Sequence, residues 1–114
     1  MNYLTIGACC FALSAACTAG SPATLSKPAF DCAKASGTVE EMICADPRLG
    51  ELDQELTALY KKALKATTGQ AHKNLKAFQR GWIKGRNDCW KADEVDACVY
   101  NEYYSRLNEL KPNP

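Results

Sequence analysis

Cysteines have the most varied chemistry of any residues in this chain, because a thiolate can attack a substrate, bind zinc or form a disulfide. The 114 residues contain seven of them: Cys9, Cys10, Cys17, Cys32, Cys44, Cys89 and Cys98. From Cys17 onward no two cysteines are spaced as C-x-x-C, which is the redox motif. Nor do any form the close pairs, with two to four intervening residues, that zinc sites use. The last four therefore predict two disulfide bonds and no metal site.

Three pairings of these four cysteines are open. We favour the local pairing of Cys32 with Cys44 and of Cys89 with Cys98, because each pair brackets a turn. Each bond would close a loop of about ten residues and stabilise the fold by about 2–3 kcal/mol. Paired cysteines in so short a domain also indicate an oxidising compartment.

The other side chains that could catalyse a reaction lack the partners that catalysis needs. His72 is the single histidine, stands in a polar stretch and has no evident nucleophile beside it, so we expect it to be solvated. Glu40 and Glu41 are adjacent, do not share a helix face and suit helix capping better than acid–base work. The sequence contains no phosphate-binding loop or nucleophile elbow. It therefore predicts no enzyme, no catalytic residue and no cofactor.

Charge argues against a nucleic-acid partner. Fourteen basic and 13 acidic side chains leave a net charge of +1, which does not provide a broad electrostatic footprint for nucleic acid. Segment 79–89 nonetheless concentrates four charges and Trp82. One interpretation places Trp82 in the core, with Arg80 and Arg86 paired to acidic residues of the preceding helix. The other makes the segment a binding patch of hot-spot composition. We favour the first.

The first half of the domain carries the signals for two of the helices that must position these residues. Thr38 and Glu41 have the spacing of a capping box, with Thr38 as the N-cap of a short helix. Asp46 can cap a second helix whose first position is Pro47. Leucines then recur at intervals of three and four, which predicts an amphipathic helix that ends near Thr67.

The second half predicts two more helices, one over about 70–89 and one from about Asp93 to Lys111. The apolar face of the third helix is expected to comprise Leu75, Phe78, Trp82 and Ile83. Gly81 and Gly85 either allow close approach by another helix or by a partner, or are tolerated on an exposed face. No β-alternation appears. The fold class is therefore predicted to be all-α, with three to four helices and an αα-hairpin closed by Cys89–Cys98.

The N-terminus is typical of an export signal. The run from Leu4 to Cys17 is uncharged and too short to span a bilayer, so we predict a signal peptide over 1–17. Cys17 follows small residues, as in a bacterial lipobox, and is the expected lipidation site; cleavage after Ala19 or Ala23 is the alternative. Residues 18–29 are predicted to be a flexible spacer before the helical domain, 30–111. The protein is expected in the periplasm or cell envelope, touching a membrane only through such an anchor.

The motifs of the domain together resemble the N-terminal domain of LprI-like lysozyme inhibitors. The resemblance covers about 30–110. It rests on 30–35, on Val39-Glu40-Glu41, on 43–47, on Leu49, Leu52-Asp53 and Leu59-Tyr60, on 79–82, and on Arg86, Cys89 and Cys98. It implies an envelope protein that binds and inhibits lysozyme. Its alternative is a non-inhibitory envelope interaction module, or an immunity module, that binds another protein.

Lysozyme works with two carboxylates in an open cleft. An inhibitor of the resembled kind would be expected to occlude that cleft, with a basic or hydrogen-bonding group facing the carboxylates. The basic candidates for partner binding are Lys34, Arg80, Lys84 and Arg86. The loop at Gly37 is an equally good candidate for insertion into the lysozyme cleft.

Overall fold

The computed structural model describes residues 26–112. Within these residues four α-helices follow one another: α1 (Thr38–Ala45), α2 (Pro47–Lys65), α3 (Gly69–Asn87) and α4 (Val95–Leu110). Short 3-10 turns precede α1, at Cys32–Lys34, and α4, at Asp88–Lys91. The all-α prediction is confirmed. The predicted signal peptide and Cys17 lie outside the described residues.

The helix starts follow from local chemistry. Asp46 caps α2 as predicted, because its Oδ1 accepts from the backbone N–H of Arg48 at 3.0 Å, and Pro47 is the first helical residue. The predicted capping box at α1 is wrong. Gly37 takes the N-cap position with a φ of 89°, which glycine adopts without strain, and Thr38 is already helical. Glu40 accepts instead from the N–H of Ser36, at 2.9 Å.

The two predicted disulfides are both present. Cys32–Cys44 ties the first 3-10 turn to α1, and Cys89–Cys98 ties the second to the first turn of α4. The second bond closes the α3–α4 hairpin, as the spacing indicated.

Helix α4 packs against both α2 and α3, whereas α2 and α3 diverge from the turn that joins them. Val99 and Tyr103 of α4 are fully buried at the centre of this arrangement. The core also includes Leu107 of α4, Cys89 of the second 3-10 turn, and residues of the other described helices: Val39, Ile43, Leu49, Leu56 and Trp82.

Two expectations about α3 are wrong. Phe78 and Ile83 are 57% and 38% exposed, because the buried face of the helix is centred on Gln79, Trp82 and Arg86. Two polar residues, Gln79 and Arg86, are therefore buried on α3 outside the apolar face that was predicted.

The glycines of α3 do not serve close helix contact. A Cβ added to Gly81 or Gly85 would meet nothing within 4 Å, so both lie on an open face. Gly50 of α2 is different, because a Cβ there would collide with the backbone of Ser26. Residues 26–29 of the predicted spacer therefore lie against α2.

None of the described helices has the length and apolarity needed to cross a membrane.

Candidate functional site

A buried ionic network holds the C-terminal end of α3 in place. Arg86 is 3% exposed, and its Nη1 donates to the hydroxyl of Tyr103 at 3.1 Å. That hydroxyl donates in turn to Oδ1 of Asp53, at 2.7 Å. Arg86 Nη1 lies 3.7 Å from the same Asp53 oxygen, and its Nη2 lies 4.0 Å from Glu40. Three helices are thereby joined to α3 through one guanidinium.

The surroundings of this network keep its members in fixed roles. The guanidinium of Arg86 lies over the rings of Phe30, Trp82 and Tyr103, at 5.4–5.9 Å from the ring centroids. Burial raises the pKa of Tyr103 far above its ordinary value, so the hydroxyl stays protonated and donates. The second carboxylate oxygen of Asp53 accepts from the N–H of Ala29, at 2.8 Å. The network therefore also holds residues 26–29, which precede the first 3-10 turn, against α2.

A second buried pair lies on α3 and α4. Arg106 is 4% exposed and donates from Nε and Nη2 to Oε1 of Gln79, at 3.0 and 2.8 Å. Its Nη1 forms a salt bridge with Glu109 at 3.1 Å, and its guanidinium lies over Phe78. Gln79 is itself 7% exposed. Two polar side chains can be buried in the interface between α3 and α4 because they form hydrogen bonds with each other.

A cleft of about 410 Å³ opens where α2 and α3 diverge, and we call it the α2–α3 cleft. Its lining is chiefly apolar, with Leu56, Tyr60, Trp82 and Ile83 among the residues that form its walls. Polar side chains of both networks also reach it, as do Thr57 and Lys61 of α2. A concave apolar space with a few polar groups is the usual form of a ligand site.

Another side of α3, turned away from the cleft, has a row of basic residues. The helix has five basic residues and no acidic one. Four of them, Lys73, Lys76, Arg80 and Lys84, are exposed and follow one another at intervals of three and four, so they share one side of the helix. We call this stripe the basic face of α3. None of the salt bridges between described residues includes any of the four.

The structure separates the five predicted partner-binding residues. Lys34, Gly37, Arg80 and Lys84 are exposed, whereas Arg86 is buried. Arg86 pairs with Asp53 of α2, as the favoured interpretation of segment 79–89 held, and Trp82 is in the core. The same interpretation was wrong for Arg80, which forms no such pair within residues 26–112.

Lys73 and Lys76 were not among the predicted site residues. The sequence nevertheless contains the pattern that reveals them, because they precede Arg80 and Lys84 at helical spacing and no acidic residue interrupts the series.

The remaining chemistry candidates have structural roles. His72 is half-buried rather than solvated, with Nδ1 3.1 Å from the carbonyl oxygen of Leu64 and 3.2 Å from Oγ1 of Thr67. It therefore closes the turn between α2 and α3. Within 26–112 no three histidine, cysteine, aspartate or glutamate side chains come together in a way that could hold a metal ion.

Comparison with known proteins gives a consistent result. The model of the family "Lysozyme inhibitor LprI" matches residues 31–110. Proteins called "Lipoprotein LprI" from Mycobacterium bovis and Mycobacterium tuberculosis are each 32% identical to the chain over 99 residues. The alignment covers 83% of this chain and 49% of theirs, so the chain spans about half the length of these curated relatives. No solved structure matches it significantly.

Proposed function

The chain belongs to the lysozyme inhibitor LprI family, and from this premise we propose that it is an exported envelope protein that binds and inhibits lysozyme. The observation that carries the proposal is the family match, which spans 31–110 and so takes in all four helices and both disulfides. In this role the protein would protect peptidoglycan from hydrolysis. It would act by occupying lysozyme rather than by chemistry of its own.

We propose the basic face of α3 as the surface that meets lysozyme. The two carboxylates of a lysozyme cleft attract cations, and a partner that places a cation between them removes the space a substrate needs. Arg80 and Lys84 are one helical turn apart, exposed and free of salt bridges within the described chain, so no internal pair has to break when they bind.

The neighbours of these cations favour close approach. Ala77, Gly81 and Gly85 are exposed positions of α3 that flank the basic face, and a Cβ at either glycine would be in open space. The helix backbone there is covered by little side-chain bulk. A partner surface could therefore approach α3 closely while Arg80 and Lys84 extend toward it.

The buried network supplies the rigidity that such a surface requires. Arg86 cannot extend into a partner without leaving Asp53 and Tyr103, so we assign it the role of a positioning residue. It fixes the C-terminal end of α3 from the buried side of the helix. A surface that is held in one conformation before binding loses less entropy when it binds.

Lys34 and Gly37 are the second part of the proposed contact. Both lie in the loop closed by Cys32–Cys44. Glu40, one turn of helix beyond Gly37, meets Asn87 at the end of α3. This loop therefore stands at the same end of the molecule as Lys84, where it could widen the contact.

The compartment is also part of the proposal. The relatives from Mycobacterium are named lipoproteins, and we propose lipid attachment at Cys17 with the domain held in the periplasm or cell envelope. Intact mass of the exported protein tests this: a lipid-modified Cys17 as the first residue is expected, and a mature chain that begins at another residue would overturn it.

The inhibitor proposal is tested by clearing of bacterial cell walls. The oxidised protein is titrated into lysozymes of several types, and dose-dependent protection at a near-stoichiometric ratio to one of them is expected. A folded protein that protects against none of them would contradict inhibition. The alternative, a non-inhibitory envelope interaction or immunity module, would then be preferred.

A further inference from the structure

The α2–α3 cleft is lined by a residue with a hydrogen-bond donor for which residues 26–112 supply no acceptor. The orientation of the Gln79 side-chain amide is fixed by Arg106. Its guanidinium can only donate hydrogen bonds, so the amide atom that accepts two bonds from it must be the oxygen, Oε1. No described residue accepts from the other terminus of this amide, Nε2. No buried side-chain nitrogen or oxygen in 26–112 lacks a partner, so Nε2 must reach solvent. Gln79 is 93% buried and lines the cleft, so the cleft is where a ligand could reach this N–H donor.

An acceptor lies in the same cleft. The side chain of Glu40 is 25% exposed, and only weak contacts, at 3.5 and 4.0 Å, join its Oε2 to Asn87 and Arg86. This carboxylate oxygen can therefore take a further hydrogen bond from a ligand. The cleft thus offers an N–H donor and a carboxylate acceptor between walls that include two aromatic side chains, Tyr60 and Trp82.

We propose that the α2–α3 cleft binds the acetamido group of an N-acetylhexosamine. Its carbonyl oxygen would accept from Nε2 of Gln79, and its N–H would donate to Glu40. Its methyl group and the C–H face of the sugar ring would contact the apolar and aromatic walls. An N-acetylhexosamine therefore matches the N–H donor, the carboxylate acceptor and the apolar walls of the cleft.

The charges and dimensions of the cleft favour this class over an anionic amphiphile. Asp53 and Glu40 both line it, and they offset the attraction that Arg86 and Lys61 would exert on a carboxylate or phosphate. A neutral amide meets no such repulsion. The volume, about 410 Å³, lies within the range of about 300–1,000 Å³ that small-molecule sites occupy.

The test is NMR titration of the whole oxidised chain with N,N′-diacetylchitobiose. Cellobiose is the matched ligand, because it has the same linkage and lacks the acetamido groups. The side-chain amide of Gln79 and the indole N–H of Trp82 are expected to shift with the first sugar and not with cellobiose. Decanoate, an anionic amphiphile, is expected not to compete.

Gln79→Glu is the variant that isolates the proposed bond. The carboxylate can still accept from Arg106, whereas both N–H donors are lost, so diacetylchitobiose should bind at least about tenfold more weakly. Asn74→Asp makes the same chemical change on an exposed position of α3 and should bind normally. Thr57→Trp fills the cleft from the α2 wall and should abolish binding.

Several outcomes would overturn the proposal: no shift of the Gln79 and Trp82 resonances, equal binding of cellobiose, competition by decanoate, or a Gln79→Glu protein that is folded and binds like wild type. Because lysozyme is absent from these experiments, their result is independent of inhibition. Either proposal can fail while the other stands.

Discussion

Replacing Arg86 by alanine should destabilise the protein far more than replacing Arg80 does. The substitution removes a hydrogen bond to Tyr103 and two to Asn87. It also leaves Asp53, which is 5% exposed, without its cation, although Tyr103 and Ala29 still donate to it. Loss of one partner of a buried ion pair costs about 3–5 kcal/mol.

That loss is comparable to the whole stability of such a domain. A domain of about 85 residues has a free energy of unfolding of about 4–13 kcal/mol. A loss of 3 kcal/mol lowers Tm by about 12–24 °C in a domain of this size. Urea and thermal unfolding of the oxidised protein, followed by circular dichroism, measure both quantities. Arg80→Ala, at an exposed position on the same helix, should stay within about 0.5 kcal/mol of wild type.

If Arg86→Ala does not fold at all, Tyr103→Phe provides the measurement instead. It deletes the hydroxyl that joins Arg86 to Asp53 and keeps the ring, which should cost about 1–3 kcal/mol. The reasoning is refuted if Arg86→Ala and Arg80→Ala unfold at the same urea concentration, since Arg86 would then not support the fold.

Two further predictions concern stability at other positions. The pKa of Asp46 lies below its ordinary value of 3.8, chiefly because the hydroxyl of Tyr100 donates to it at 2.7 Å. A carboxylate whose pKa is lower in the folded than in the unfolded state stabilises the fold at pH values above its unfolded-state pKa. This stabilisation is lost as the pH falls through its folded-state pKa. The stability gap between wild type and Tyr100→Phe should therefore narrow below about pH 4 in urea unfolding; an unchanged gap at pH 2 would contradict this. Gly81→Ala and Gly85→Ala should each stabilise the protein by about 0.5–1 kcal/mol, because both sites are helical and a Cβ meets nothing there; a lower Tm for either would show that the site is not open.

The parts of the fold that were predictable from sequence depend on residues close together in the chain. Asp46 and Pro47 mark the start of α2 by themselves, since a cap needs only its own first turn. The disulfides were predictable for a similar reason, because Cys89 and Cys98 lie nine positions apart across one turn. The family resemblance, by contrast, depended on motifs spread over the whole domain.

The polar interior depends on contacts between distant residues. Asp53 and Tyr103 are 50 positions apart, and Gln79 and Arg106 are 27 apart, so neither pair can be found from a local pattern. Part of the evidence was nonetheless in the sequence. Gln79 and Arg86 lie at helical spacing from Trp82, and a face centred on these three residues puts Phe78, which was wrongly expected to be buried, at its edge.

Charge reversal on the basic face of α3 tests the central claim most directly. In the cell-wall clearing assay, the Arg80→Glu, Lys84→Glu double variant should lose at least about 100-fold in inhibition, since two attractions to the lysozyme carboxylates become repulsions. Lys62→Glu, Lys65→Glu changes the net charge equally at exposed positions of α2 and should inhibit like wild type. If the α3 variant is folded and still inhibits at a stoichiometric ratio, the basic face is not the surface that binds lysozyme.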